Sequence, residues 1–359
     1  MKKASLVAAA ALLTASSFVG CGAAQSPAQM DNAAPSSVPP KLPPSMGGGG
    51  GSAAAPPAGG EMQQATHDAP SEEMTRGMAA LERNDIAGAK ASFQAMIKKD
   101  PKDADAYHFL GLVSEKEGKK ADAEKAYRES LKLRPDLEAS MVDLSALYID
   151  QGKIEDALAV SRAGIAKHAD SAPLHLNTAL ALAGKNDTGG AAKEFDEAMR
   201  LAPRDAAVAM TYGHWLGVWK QPDAALTKLR AARPLAKEDV GMLAAIGDEM
   251  RAIGAFADCV PTFDKAISIR DAAELRTLRA ICKMGAKDDA GARADLASAV
   301  AKEPGFAPAH FYLAGRLAQS GQLKEGLAEY ETYLKLAPNG PMAKTAAERV
   351  KLAREKLKK

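Results

Sequence analysis

Residues 107–135 read YHFLGLVSEKEGKKADAEKAYRESLKLRP, and the reading of this stretch decides the fold. Gly118 marks the end of a first helix, because glycine tolerates the left-handed backbone that a helix C′ position needs. Pro135 closes a second helix. In that second helix Ala123 must be small where it meets the small Gly111 of the first helix at close approach. Tyr127, one turn on, fills the space beside the contact. The pattern recurs. Its closing position is occupied by Pro101, Pro135, Ala169, Pro203, Lys237, Asp271, Pro304 and Pro338, in steps of 34 except for 33 before Pro304. The first-helix ends are Asn84, Gly118, Gly152, Asn186, Lys220, Gly254, Lys287 and Gly321, and six of these eight are Gly or Asn. Two markers with different physical causes share one period. The chain from residue 70 onward is therefore expected to be all-α, an array of helix–turn–helix units.

Composition agrees with helices and excludes several classes. Apolar residues make up 47% of the 359, enough for a core, while aromatics are only 5%, too few for a sheet-rich protein. The 47 Lys+Arg against 45 Asp+Glu predict no general attraction to nucleic acid. Cys21, Cys259 and Cys282 include no C-x-x-C pair, and three cysteines are too few for a disulfide framework.

Inside each unit the spacing resembles the tetratricopeptide repeat (TPR), W-x₂-L-G-x₂-Y, then A-x₃-F, then P. Tyr107-x₂-Leu110-Gly111, Ala123-x₃-Tyr127 and Pro135 carry the resemblance, as do Ala191-x₃-Phe195 with Pro203, Ile246-Gly247 with Cys259-x₃-Phe263, and Leu313-Ala314 with Tyr330 and Pro338. The resemblance implies a superhelical solenoid of eight repeats over 70–340. Residues 341–359 read as a C-terminal capping helix, with Met342, Ala346, Val350, Ala353 and Leu357 on one stripe and a basic outer face. Repeats five and six lack the closing proline, and Pro234 and Pro261 fall within second helices, so an altered inter-repeat angle is expected somewhere in 234–272.

TPR proteins bind partners on a concave face lined by first helices. Carrying the fifth, ninth and twelfth positions across gives His108, Leu112 and Glu115, then Val142, Ala146 and Ile149, then Leu176, Leu180 and Ala183, then Met210 and His214. Trp215 and Trp219, the only tryptophans, share a helix with His214; they fit a binding hot spot or a packed helix equally well. The apolar centre suits an amphipathic helix or an extended hydrophobic peptide of a partner protein.

The N-terminus reads as an address. MKK followed by the apolar run from Ala4 to Leu13 has the layout of a secretory signal peptide over 1–20, too short to span a bilayer. Phe18-Val19-Gly20-Cys21 resembles a bacterial lipobox, which implies lipidation of Cys21, with Phe18 departing from the usual Leu. Residues 21–69, rich in Pro, Gly, Ala and Ser, read as a disordered tether with a reach of about 35–40 Å. The resemblance places the chain in the bacterial cell envelope, periplasm-facing, with Gly22 pointing to the outer membrane over the inner one. It looks like the TPR lipoproteins that help secretins or pili assemble or recruit cell-wall hydrolases.

Chemistry has little support. No H-E-x-x-H, G-x-S-x-G or phosphate loop is present, and no metal or cofactor is predicted. His67 falls in the tether, while His175 and His310 take the tryptophan position of their repeats and read as packing residues. The repeat register turns Cys259 toward its own repeat's first helix, so two separate buried thiols are expected, with a bridge to Cys282 as the alternative. The expected function is a non-enzymatic scaffold for envelope proteins; the other class is an enzyme or small-ligand binder with a pocket between repeats. Oligomeric state is not legible.

Overall fold

Every first-helix end that the 34-residue period marks adopts left-handed backbone in the computed structural model, which describes residues 71–358. The signal-peptide reading, Cys21, the tether and His67 lie outside the described residues. The described chain contains seventeen helices and no strand. It divides into two units, 71–201 and 202–358.

The first unit holds four antiparallel pairs: α1 (Glu72–Glu82) with α2 (Ile86–Lys99), α3 (Ala104–Lys116) with α4 (Lys120–Leu133), α5 (Glu138–Asp150) with α6 (Ile154–Ile165), and α7 (Ala172–Gly184) with α8 (Thr188–Leu201). The second holds α9 (Ala206–Val218) with α10 (Pro222–Leu235), α11 (Val240–Ala252) with α12 (Phe256–Ile269), α13 (Ala273–Gly285) with α14 (Asp289–Lys302), and α15 (Ala307–Gln319) with α16 (Leu323–Leu336). A last helix, α17 (Ala343–Leu357), packs on α16. Within each unit, second helices also pack on the first helix of the next pair, so burial runs continuously from pair to pair.

The sequence explains these boundaries. Ser71, Asp85, Asp103, Ser171, Asp205, Asp239 and Asp288 accept backbone N–H bonds at helix starts, satisfying donors that would otherwise be orphaned. Asp100, Arg134 and Glu303 end their helices with ψ near 100, 92 and 83°, because a following proline pushes its predecessor out of the α region. Repeat five has no such proline. There Ala236 stays helical and Lys237 makes the exit at φ 50°, a left-handed residue that the sequence pattern does not mark. The missing residue of the 33-residue step lies in the α12–α13 connection, three residues (270–272) where the α4–α5 connection has four (134–137).

A contact that recurs in several pairs is an aromatic ring laid over a glycine. A Cβ on Gly111 would sit 2.4 Å from Tyr127, and one on Gly247 would sit 2.8 Å from Phe263. On the opposite side of the contact, a Cβ on Gly326 would lie 2.9 Å from the Ala314 carbonyl oxygen. The small positions thus let two backbones approach, and the ring fills the volume a side chain would need.

Repeat seven is built differently. Its fourth, seventh and eleventh first-helix positions carry Arg276, Arg279 and Lys283, where repeat two has Tyr107, Leu110 and Ser114. Asp295 of α14 is buried beneath them. Arg279 grips it with Nε at 2.8 Å and with a second guanidinium nitrogen, and Lys283 approaches at 2.9 Å. Arg279 also reaches Asp264 on α12 at 2.7 Å, while Arg276 and Lys302 hold Asp271. These hydrogen bonds hold the Asp295 carboxyl below its usual range against the opposing effect of burial.

The same helix carries a correction. Cys259 and Cys282 are not separate thiols: they form a disulfide, with Cα atoms 6.1 Å apart. The register argument considered only the first helix of the cysteine's own repeat. Cys259 lies on α12, which packs on α13 as well as on α11, and the buried thiol meets Cys282 there.

Candidate protein-binding face

The first helices α3 and α5 meet through His108 on one and Ser140 and Asp143 on the other, and Leu112 of α3 and Val142, Ala146 and Ile149 of α5 are all half-buried. Polar groups between the helices fix their register. Ser130 on α4 donates to the Ala104 carbonyl at 2.7 Å and shares a 2.8 Å hydrogen bond with Ser140 of α5. Ser140 in turn contacts His108 Nδ1 at 3.2 Å. Asn177 on α7 donates to the Val142 carbonyl at 2.9 Å and to Ser145 at 2.8 Å, which ties α7 to α5.

His108 Nε2 lies 3.7 Å from Asp143 Oδ2. Burial lowers the His108 pKa to about 4, with Asp105 opposing and Arg134 adding to the shift, so the ring is neutral near pH 7. Burial, helped by the like charge of Glu115, raises the Asp143 carboxyl to about 7. Serine, histidine and aspartate at these distances have the composition of a nucleophilic triad, but Ser140 is fully buried and its hydroxyl is engaged by Ser130. No substrate carbonyl reaches it as the helices stand. The trio holds α3, α4 and α5 together.

The remaining sequence-predicted residues have different surroundings. Leu176 and Leu180 on α7 are buried, as are Met210, His214 and Trp215 on α9; Trp219 is half-buried. His214 Nδ1 bonds Glu249 Oε1 at 2.9 Å, and its ring meets Trp215 edge-on at 5.9 Å. Trp215 and Trp219 lie 6.0 Å apart. The tryptophan helix is thus a packed one along most of its length, Ala206 through Leu216 being buried. His175 and His310 are buried at matching positions, but they do more than fill space. Each ring bridges a second-helix carboxylate, Glu194 or Glu329, to the carbonyl of Ala169 or Pro304 at the preceding turn. Among the described residues, no group of three His, Cys, Asp or Glu side chains is arranged to hold a metal ion.

Residues 74–138 and 143–206 match the family described as Tetratricopeptide repeat. The first unit is built of tetratricopeptide repeats. No curated protein matches the chain. Among solved structures it is similar to yeast Tom70, with 14% identity, a TM-score of 0.51 and coverage of 83% of this chain and 67% of that one. It is also similar to a tetratricopeptide repeat protein from Parabacteroides merdae, with 16% identity, TM-score 0.46, and 64% and 91% of the two chains covered. A third likeness is to the Cut9–Hcn1 hetero-tetramer of the APC/C, at 15% identity and TM-score 0.44. That match takes in 78% of this chain and 55% of the other, so the chain spans about half that protein's length. The Tom70 likeness is one of fold.

Sequence reasoning passed over Asp143 and Ser140. The signal was a charged residue at the sixth position of repeat three, directly beside the apolar Val142. Such a residue has to be accounted for once the fifth position is assigned to the binding face.

Proposed function

We propose that this chain is a non-enzymatic protein-binding scaffold, lipid-anchored through Cys21 in the bacterial cell envelope and facing the periplasm, the outer membrane favoured over the inner. The observation that carries the binding part is the row Leu112, Val142, Ala146 and Ile149. These are apolar side chains left half-exposed on adjacent first helices that a polar network holds rigid. An apolar strip on a preorganised surface is what a partner's peptide or helix buries. The lipobox-like Phe18-Val19-Gly20-Cys21 supports the anchor. The Cys259–Cys282 disulfide supports an oxidising compartment, since such bonds persist outside the cytosol. The partners under this reading are envelope proteins, in pilus, secretin or cell-wall assembly.

The test is affinity purification of the tagged chain from cross-linked envelopes, alongside a Cys21→Ser form. A reproducible envelope partner, together with loss of the chain from the membrane fraction on Cys21→Ser, is the expected result. Recovery of the chain alone sinks the scaffold reading, and unchanged membrane association of the serine form sinks the anchor.

A further inference from the structure

We infer that a cleft between α10, α12 and the α10–α11 connection binds a small phosphate monoester, either free in solution or as a lipid headgroup. The site lies wholly within the second unit and is independent of the protein-binding reading above.

The cleft forms where repeat five departs from its siblings. Five of the eight closing positions carry proline, and this one carries Lys237, which turns the chain at φ 50°. Here α10 packs on α11 less closely than the other second helices pack on the first helix that follows within their unit. The opening measures about 430 Å³, within the range of small-molecule sites. Its walls are Arg233 and Pro234 of α10, Lys237 and Glu238 of the connection, and Pro261 and Lys265 of α12.

Charge is left over in this cleft by geometry. Apart from Glu238, the acids of α12 and of the connection are already engaged. Arg230 takes Asp258 through both oxygens at 2.7 and 2.8 Å, Arg279 takes Asp264 at 2.7 Å, and Asp239 accepts the Met242 backbone N–H at 2.9 Å. Arg233, Lys237 and Lys265 have no ion-pair partner among the described residues, Glu238 included. Three cations against one carboxylate leave the walls at +2. The cleft along α4 in the first unit is the contrast. There Glu124 meets Lys153 at 2.7 Å and Arg128 at 3.3 Å, and Glu129 meets Lys132 at 3.1 Å.

A phosphate monoester carries a charge of about −1.5 to −2 near pH 7, which matches the surplus. An arginine fork donates to two phosphate oxygens, and lysines act as point charges on the others. A monocarboxylate neutralises less of the surplus. Pro234 and Pro261 bring ring surface and no N–H donor, so they offer the ligand's carbon skeleton an apolar wall.

The experiment is isothermal titration calorimetry on the full chain at fixed ionic strength, with glycerol 3-phosphate, glycerate and glycerol as probes. Glycerol 3-phosphate should bind at one site at least tenfold more tightly than glycerate, and glycerol should give no binding heat. Arg233→Gln and Lys265→Gln should each weaken binding about tenfold, the loss of one charge-assisted hydrogen bond, while Lys132→Gln on α4 leaves it unchanged. Lys237→Gly should raise the midpoint of urea unfolding, since glycine takes positive φ without strain, yet weaken binding severalfold. Phosphatidylcholine vesicles containing phosphatidic acid distinguish the sources: competition with glycerol 3-phosphate identifies a lipid headgroup, and its absence a soluble ester. No saturable binding of glycerol 3-phosphate, equal binding of glycerate, or a loss in Arg233→Gln no larger than in Lys132→Gln overturns the inference.

Discussion

Replacing both Cys259 and Cys282 by alanine removes the one covalent link between α12 and α13, and its effect can be worked from the structure. The two residues are 23 apart in sequence, so the bond closes a loop whose freedom the unfolded chain otherwise keeps. The loop-entropy relation gives about 12 cal/mol/K, or about 3.5 kcal/mol at room temperature. Both side chains are fully buried and alanine deletes each sulfur, so a cavity cost comes on top of the loss of the crosslink. For a unit the size of 202–358, loss of the crosslink alone corresponds to a fall in melting temperature of about 10 °C. The location makes the loss local. Repeat seven joins its two helices through Arg279, Lys283 and Asp295 beside a small apolar core of Ala280, Met284, Ala292 and Leu296, and the crosslink adds to both. The assay is thermal melting by circular dichroism with and without a thiol-free phosphine reductant, paired with peptide mapping of a non-reduced digest. The wild-type digest should contain a linked Cys259–Cys282 peptide, and reductant should lower the wild-type melting temperature but not that of the double-alanine form. Separate alkylated Cys259 and Cys282 peptides, or an equal response of both forms to reductant, refutes the reasoning.

Gly111→Ala should lose stability, because its Cβ would stand 2.4 Å from a fully buried Tyr127 ring; overpacking of about 1–3 kcal/mol outweighs a helix-propensity gain of about 1 kcal/mol. Gly189→Ala, with no atom within 4 Å, should instead gain up to about 1 kcal/mol, and urea titration separates the two. Lys220→Gly should stabilise by about 1 kcal/mol in the same assay, since Lys220 holds φ 59° at a solvent-exposed helix exit. His108 and Asp143 should give opposite pH responses. The His108 pKa is depressed to about 4, so the unfolded chain takes up the proton first and stability rises with pH from about 4 to 6.5. The Asp143 pKa is raised to about 7, so the folded chain holds the proton longer and stability falls with pH from about 4 to 7. Asp143→Asn should therefore show the rising slope alone, and His108→Gln the falling one, in denaturant titrations between pH 4 and 7.

The helix pairs were legible because their markers are local. A residue that must take positive φ, and a proline that must end a helix, announce themselves without knowledge of the neighbours. Lys237 escaped because its left-handed turn follows from the absence of a proline, and an absent residue leaves no mark in the pattern. The disulfide escaped for a different reason. A second-helix residue faces two first helices, and the repeat pattern specifies only the nearer one in sequence. Of the face positions carried over from the family, Leu112, Val142, Ala146 and Ile149 are half-buried, whereas Leu176, Leu180 and Met210 are buried. Residues 172–184 (APLHLNTALALAG) and 206–218 (AAVAMTYGHWLGV) are apolar all round rather than along one stripe, which is the signature of a helix buried on every side. Reading only the fifth, ninth and twelfth positions hid that signal, so Leu176, Leu180 and Met210 were counted as open surface. Repeat seven's charged interface was visible as Arg276, Arg279 and Lys283, but its buried counter-ion, Asp295, lies on the other helix of the pair and emerges only when the two are packed together.

A photo-crosslinking amino acid placed at Leu112, in cells producing the full chain, puts the central claim to the most direct test. The same probe at Lys132, exposed on the second helix α4, provides the comparison. The account predicts a discrete crosslinked protein at Leu112 that is absent at Lys132 and competed away by the unlabelled chain. Identical products at both positions, or none at Leu112, would contradict it.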